Sequence, residues 1–210
     1  MRLPPLVVVC TALLSLPAGS VHAQLAGRSA DEWIKTLESP QRIQGLRIEE
    51  TVARLKLQPG QTVADIGAGS GVFEAALAAA VTSSGRVYAE DVEQGLLDAI
   101  ARKKIANVRP ILGGFTDPKL PSSDVDVAMI NDVLHHIEDR SAYLRNLAGY
   151  IKPGGRVAII DFYPGKGGHR DQPDLQVSKD QATRWMVDVG FRVAEDVDLF
   201  PDKYFVIYAR

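Results

Sequence analysis

Three glycines alternate in Asp65-Ile-Gly67-Ala68-Gly69-Ser70-Gly71, directly after a short apolar run. Backbone without Cβ atoms can turn sharply there from strand to helix and approach a ligand closely. A loop that grips the pyrophosphate of a dinucleotide would read G-x-G-x-x-G. Here Val72 stands where the third glycine would be, and an acid precedes the first. Asp65 at a strand end suits a ligand carrying a cation or hydroxyls better than one carrying phosphate.

Residues that could move a proton are few. His135 and His136 follow an apolar run, and an imidazole titrating near neutrality can act as a base. Leu134-His-His-Ile137 reads equally well as a packing and capping segment. His169 sits in Gly165-Lys-Gly-Gly-His-Arg-Asp171, a polar connection that either covers an active site or lies in solvent. Asp161 closes a strand at the same sheet edge and could orient a substrate hydroxyl. Tyr163 and Tyr204 are more readily explained by packing. No spacing matches a zinc pattern, and adjacent histidines are expected to point different ways, so no metal site is expected.

The elements that must position these residues alternate along the chain. The pattern predicts strands over Thr62–Asp65, Arg86–Ala89, Val108–Leu112, Val125–Ile130 and Arg156–Asp161. Helices are predicted between them, over Gly71–Val81, Glu93–Ile105, Asp139–Ile151 and Ser178–Val189. Such alternation implies a parallel sheet covered on both faces. Gly190–Val197 and Lys203–Ala209 read as two more strands, joined too closely for anything but an antiparallel pair. Ahead of the sheet, Ser29-Ala-Asp-Glu32 is a capping-box pattern opening one helix that Pro40 stops, and a second helix is expected over Ile43–Leu55. Ser178-Lys-Asp-Gln181 repeats the capping pattern, and Ala182, Trp185, Met186 and Val189 fall at core spacing.

In this order the motifs resemble those of the class I S-adenosylmethionine-dependent methyltransferases, over nearly the whole chain beyond its N-terminal segment. Asp65 through Gly71 is similar to that family's glycine loop, and Val87-Tyr-Ala-Glu-Asp91 to its second strand with the acid for the ribose hydroxyls. Val125 through Asn131-Asp132 to Ile137 is similar to its fourth strand and the segment after it, and Lys152-Pro-Gly-Gly155 to the turn into the fifth. The resemblance implies a Rossmann-like, doubly wound α/β sheet of seven strands, mostly parallel with one antiparallel strand near the C-terminus. It implies S-adenosylmethionine held by Asp65, Gly67, Ala68, Gly69, Ser70, Gly71, Asp91, Asn131 and Asp132. Asp91 can also be read as a cap for the helix that follows. Glu90 should alternate to the other side of its strand. The family's usual acid for the adenine amino group is displaced here: Thr116 occupies its place and Asp117 lies one residue later, so either could make that contact. Helices before the sheet fold over the cofactor in such proteins, and the amphipathic pattern here is equally explained by simple packing on the sheet.

Methyl transfer from a sulfonium asks mainly that donor and acceptor be held in line. The expected function is therefore transfer to a small-molecule acceptor, with His135, His136, Asp161 and His169 as candidates for a base or an orienting group. The 210 residues, 46% of them hydrophobic, suit one domain with a substantial core. Residues 24–60 would form a helical cap and 61–210 the core. The net charge of −2 disfavours a nucleic-acid partner. Met1-Arg2, the apolar Leu6–Leu16 and Val21-His-Ala23 read as a signal peptide over 1–23, either cleaved or kept as an anchor, implying export to the periplasm and no stable membrane span after cleavage. Cleavage would remove Cys10 and leave no thiol. Because the methyl donor is made in the cytoplasm, the alternative is an exported binding protein on a methyltransferase scaffold that has lost catalysis. Oligomeric state is not indicated.

Overall fold

A computed structural model describes residues 28–210, so the segment expected to direct export lies outside the described residues. Apolar runs interrupted by glycine-containing turns form seven strands. They are β1 (Thr62–Ile66), β2 (Arg86–Asp91), β3 (Val108–Leu112), β4 (Val125–Asn131), β5 (Ile151–Phe162), β6 (Arg192–Asp196) and β7 (Lys203–Ala209). The sheet order is β3-β2-β1-β4-β5-β7-β6. β1 pairs in parallel with both β2 and β4, and β7 runs antiparallel between β5 and β6. The expected α/β architecture with one antiparallel strand is therefore present. Every residue of β1 and β4 is buried, as a sheet covered on both faces requires. Strand order reverses beside β1, which opens a crevice beyond the C-terminal ends of β1, β2 and β4, where ligands bind in open sheets of this type.

Helices α1 (Ala30–Leu37), α2 (Pro40–Leu46) and α3 (Ile48–Arg54) precede the sheet, and α4 (Glu74–Val81), α5 (Gln94–Arg102), α6 (Arg140–Tyr150) and α7 (Lys179–Asp188) alternate with strands. Both capping boxes form: Ser29 with Glu32 opens α1, and Ser178 with Gln181 opens α7. On one face of the sheet Tyr143, Leu144 and Leu147 of α6 and Ala182 and Met186 of α7 pack against Ala128, Ile130 and Ile159, with Trp185 and Val189 at the margin. On the other, Val52, Leu77 and Val81 pack against Val63, Met129 and Phe205.

Several boundaries differ from the sequence pattern, and three of them have a clear local reason. The helix expected over 43–55 is broken at Arg47, which takes a left-handed backbone (φ 45°). Its guanidinium pairs with Glu50 and donates to the Leu199 carbonyl at 2.5 Å, tying the cap to the β6–β7 connection. α4 starts at Glu74 rather than Gly71, because the glycine loop keeps the chain non-helical to that point. β5 begins at Ile151, and its register slips opposite Val125 and Val127 where Lys152-Pro-Gly-Gly155 bulges.

Candidate active site

A cleft of about 200 Å³ opens at the reversal point. It is lined by the Gly67–Ser70 loop, Asp65, Glu90, Asp91, Asn131 and Asp132, with Trp33 and Leu37 of α1 and Arg42 of α2 across from them. The loop's shape depends on glycine at position 67: φ is +68°, and a Cβ there would lie 2.4 Å from Val133 Cγ2. Its amides are already engaged. Gly67 N donates to Glu90 Oε2 at 3.2 Å, Ala68 N to the Glu90 carbonyl at 2.8 Å, and Gly69 N to Asp91 Oδ2 at 2.8 Å. A phosphate loop would offer such groups to an anion; here two go to carboxylates and the third to a backbone carbonyl.

Glu90 is the first correction to the sequence reading. The alternation of β2 does separate Glu90 from Asp91, but the cleft lies beyond the strand end rather than on one face, so both side chains border it. Asp91 Oδ1 also accepts from Glu93 N at 2.9 Å, so it braces the start of α5 while bordering the cleft. Each carboxylate oxygen accepts two hydrogen bonds, so capacity for ribose hydroxyls remains.

Behind the loop, Asp65 and Glu74 form a pair of buried carboxyls. Burial, then the charge of Glu74, pushes Asp65 well above the usual carboxylate range. Burial likewise lifts Glu74 to about 7, and burial with the neighbouring Asp91 charge lifts Glu90 to about 8. As two carboxylates, Asp65 and Glu74 would have no donor between them, and neither Glu74 oxygen has a partner among the described residues. One shared proton supplies that bond. Glu74 carried no signal of its own in the sequence, since an acid in a first helical turn is ordinary.

At the end of β4, Asn131 Oδ1 and Asp132 Oδ1 are buried without partners among the described residues. Asp132 is left-handed (φ 57°), and its Oδ2 accepts from Lys203 Nζ at 2.8 Å, with Arg42 at 3.9 Å. Thr116 and Asp117 do not line the cleft. Asp117 Oδ1 instead accepts from Tyr150 Oη at 2.8 Å and Lys119 N at 2.7 Å, while Thr116 is exposed. From that loop Gly114 and Phe115 line the cleft instead, as does Tyr143 of α6, which carried no signal in the sequence. The half-buried Trp33 and Leu37 of α1 also line the cleft, Leu37 beside Gly69.

The histidines converge, contrary to the expectation that neighbours diverge. Leu134–His136 forms a 3-10 turn, in which successive side chains need not oppose one another. The His135 and His136 ring centroids are 4.1 Å apart, and His169 lies 5.2 and 5.0 Å from them. His135 is buried, with Nδ1 2.7 Å from Asp161 Oδ1 and its backbone N donating to Asp161 Oδ2 at 3.1 Å. His136 alone of the three lines the cleft. Burial, then the His135 and His169 charges, lowers its pKa to about 3, so the ring is neutral at physiological pH and a weak proton acceptor. His135, Asp161 and His169 line a separate small cavity behind it, beside Tyr163.

Residues 64–159 match the family model described as a methyltransferase domain. A demethylmenaquinone methyltransferase from Geobacillus sp. (strain WCH70) is 29% identical over 117 residues, which are 54% of this chain and 50% of that protein. The chain thus spans about half the length of the curated relatives it matches. An S-adenosylmethionine-dependent methyltransferase from Aquifex aeolicus superposes with a TM-score of 0.75 at 26% identity, covering 87% of this chain and 98% of that one. Magnesium protoporphyrin IX methyltransferase from Synechocystis PCC 6803, solved with the cofactor bound, shares the fold at a TM-score of 0.70 and 19% identity, over 93% and 100% of the two chains. Sequence match and fold agree on the architecture of an S-adenosylmethionine-dependent methyltransferase domain.

Proposed function

We propose that this chain binds S-adenosylmethionine in the cleft beyond β1, β2 and β4 and transfers its methyl group to a small-molecule acceptor. One observation carries the reading: a glycine loop whose amides are capped by acids, facing a cluster of four buried carboxyls at Asp65, Glu74, Glu90 and Asp91. Such a cluster repels phosphate and favours a ligand that brings positive charge and hydroxyls. The donor brings a sulfonium, an ammonium and a ribose. Asp91 takes the ribose, Asp65 (with Glu74 behind it) and Asn131 face the cationic end, and Phe115 with Gly114 flanks the base. The mostly apolar remainder, with Trp33, Leu37, Phe73 and Ile137, suits an acceptor with an apolar body, in keeping with the quinone precursor named for the Geobacillus relative. The site's work is chiefly alignment, which by itself supplies a large part of the barrier reduction in such displacements. No feature of the described residues favours a scaffold that binds without catalysing.

Calorimetric titration of the full chain with S-adenosylmethionine and S-adenosylhomocysteine tests this. Micromolar binding of both is expected, about −8 kcal/mol. Asp91→Ala should weaken it at least tenfold, since it removes both the loop brace and the ribose acceptor. A folded protein that binds neither ligand would overturn the proposal.

A further inference from the structure

Three of the chain's four histidines meet at one point, from two segments 33 residues apart in sequence. His135 and His136 come from the turn after β4, and His169 from the connection between β5 and α7. One ring nitrogen from each lies within 4.8 Å of the others. We propose that His135, His136 and His169 bind one divalent transition-metal ion of the zinc type through their imidazole nitrogens.

The surroundings are built as such a site needs. The carboxylate of Asp161 accepts from His135 Nδ1 at 2.7 Å, which fixes the tautomer and leaves Nε2 as the free lone pair. That carboxylate–histidine pairing is the usual second layer of an imidazole metal site, where it orients the ring and raises its basicity. Asp161 is itself held, accepting from the backbone of His135 and Phe162. His169 Nδ1 is a buried nitrogen without a hydrogen-bond partner among the described residues, a cost that a metal bond would remove. Beside the rings lies a cavity of about 10 Å³, bordered by Tyr163, Lys166 and Gln176, of the order of one ion or water. Arg140, whose charge acts on His136, is engaged by the Leu134, His135 and Asp174 carbonyls, while Lys166 borders the small cavity itself.

Nitrogens bound to zinc at about 2.0–2.1 Å in a tetrahedron stand about 3.4 Å apart. The cluster therefore has to contract modestly, and the segment carrying His169 is the one able to move. Its polar bonds to other elements include Tyr163 N to the Asp202 carbonyl and Arg140 to the Asp174 carbonyl. Three imidazoles leave a fourth position open, as in sites where a metal polarises an oxygen. Because His136 also lines the cleft, an ion here would sit at the back wall of the proposed acceptor site while pinning the 163–176 connection against the sheet end.

The test uses the full chain, made without a histidine tag and stripped with chelator, with no methyl donor present. Zinc is titrated against a chromophoric chelator, and Co²⁺ is added separately for its visible spectrum. One equivalent bound at micromolar affinity or tighter is expected, with cobalt bands of a low-coordinate nitrogen site. His169→Gln and His136→Gln should each weaken zinc at least tenfold, whereas His22→Gln should leave it unchanged. No stoichiometric binding would overturn the site and leave three packed rings. So would affinity untouched by both changes, or lost with His22→Gln. None of these readouts depends on whether S-adenosylmethionine binds.

Discussion

On the proposed reading Asp65, Glu74, Glu90 and Asp91 select the ligand, and they do so through protons. Near pH 6 Glu90, at about 8, and Glu74, at about 7, are largely protonated. A ligand bearing a sulfonium and an ammonium binds the ionised cluster more strongly, so it lowers both pKa values and releases protons. The sign follows: affinity for S-adenosylmethionine should rise several-fold between about pH 6 and about pH 7.5, with calorimetry in buffers of different ionisation heat reporting proton release. Glu74→Gln should flatten the dependence. Affinity that stays level across that range would remove the acid cluster from cofactor recognition. Asp65 and Asp91 were legible in the sequence because each ends a strand beside a glycine loop or a helix start. Glu90 and Glu74 were not, since alternation along a strand says which way a side chain leaves but not where the cavity lies relative to the strand's end.

The elements show the same division. The alternation of strands and helices and the antiparallel β6–β7 pair were legible from spacing, the pair because so short a connection permits nothing else, whereas the order β3-β2-β1-β4-β5-β7-β6 is a finding of the structure. The break at Arg47 did not, as it depends on a carbonyl 152 residues away. The convergence of His169 with His135 and His136 depends likewise on how the β5–α7 connection folds back, which no local pattern encodes. α1 is the element whose behaviour matters most for ligand entry. None of its residues is fully buried, yet Trp33 and Leu37 wall the cleft, and Leu37 Cδ1 lies 3.0 Å from where a Cβ on Gly69 would be. An element held by so little buried surface opens at low cost. S-adenosylmethionine should therefore slow trypsin cleavage at Lys35 and Arg42 well before it changes global stability. Trp33→Ala should raise the cofactor Kd several-fold with a thermal midpoint within about 2–4 °C of the parent, the size of a loss near 1 kcal/mol. Equal cleavage rates with and without cofactor would show that α1 is no lid.

Across the whole molecule, buried ionisable groups pull stability in opposite directions with pH. Glu90 and Glu74 hold protons in the native state that the unfolded chain loses near 4.5. Their contribution is complete below that value and disappears as pH rises through about 7 and about 8. His136 does the reverse: unfolded it takes a proton near 6.5, while natively it stays neutral down to about 3. Its contribution is complete above 6.5 and is lost on acidification. Asp65, Asp91 and Asp132 are raised by burial as well and act with the two glutamates, while His169, lowered by burial, acts with His136. The raised carboxyls outnumber the lowered imidazoles, so the ligand-free protein should lose stability from about pH 5 to about pH 8. Thermal melts across that range check the slope. Glu90→Gln keeps an oxygen for the Gly67 amide and for Tyr143, removes one titration, and should make the melting curve flatter by several degrees over the range. Parallel pH profiles for parent and variant would show that Glu90 is ionised in the native state throughout. The methyl donor should then stabilise the protein most at the alkaline end, where the unpaired acids are costly and a cationic ligand offsets them.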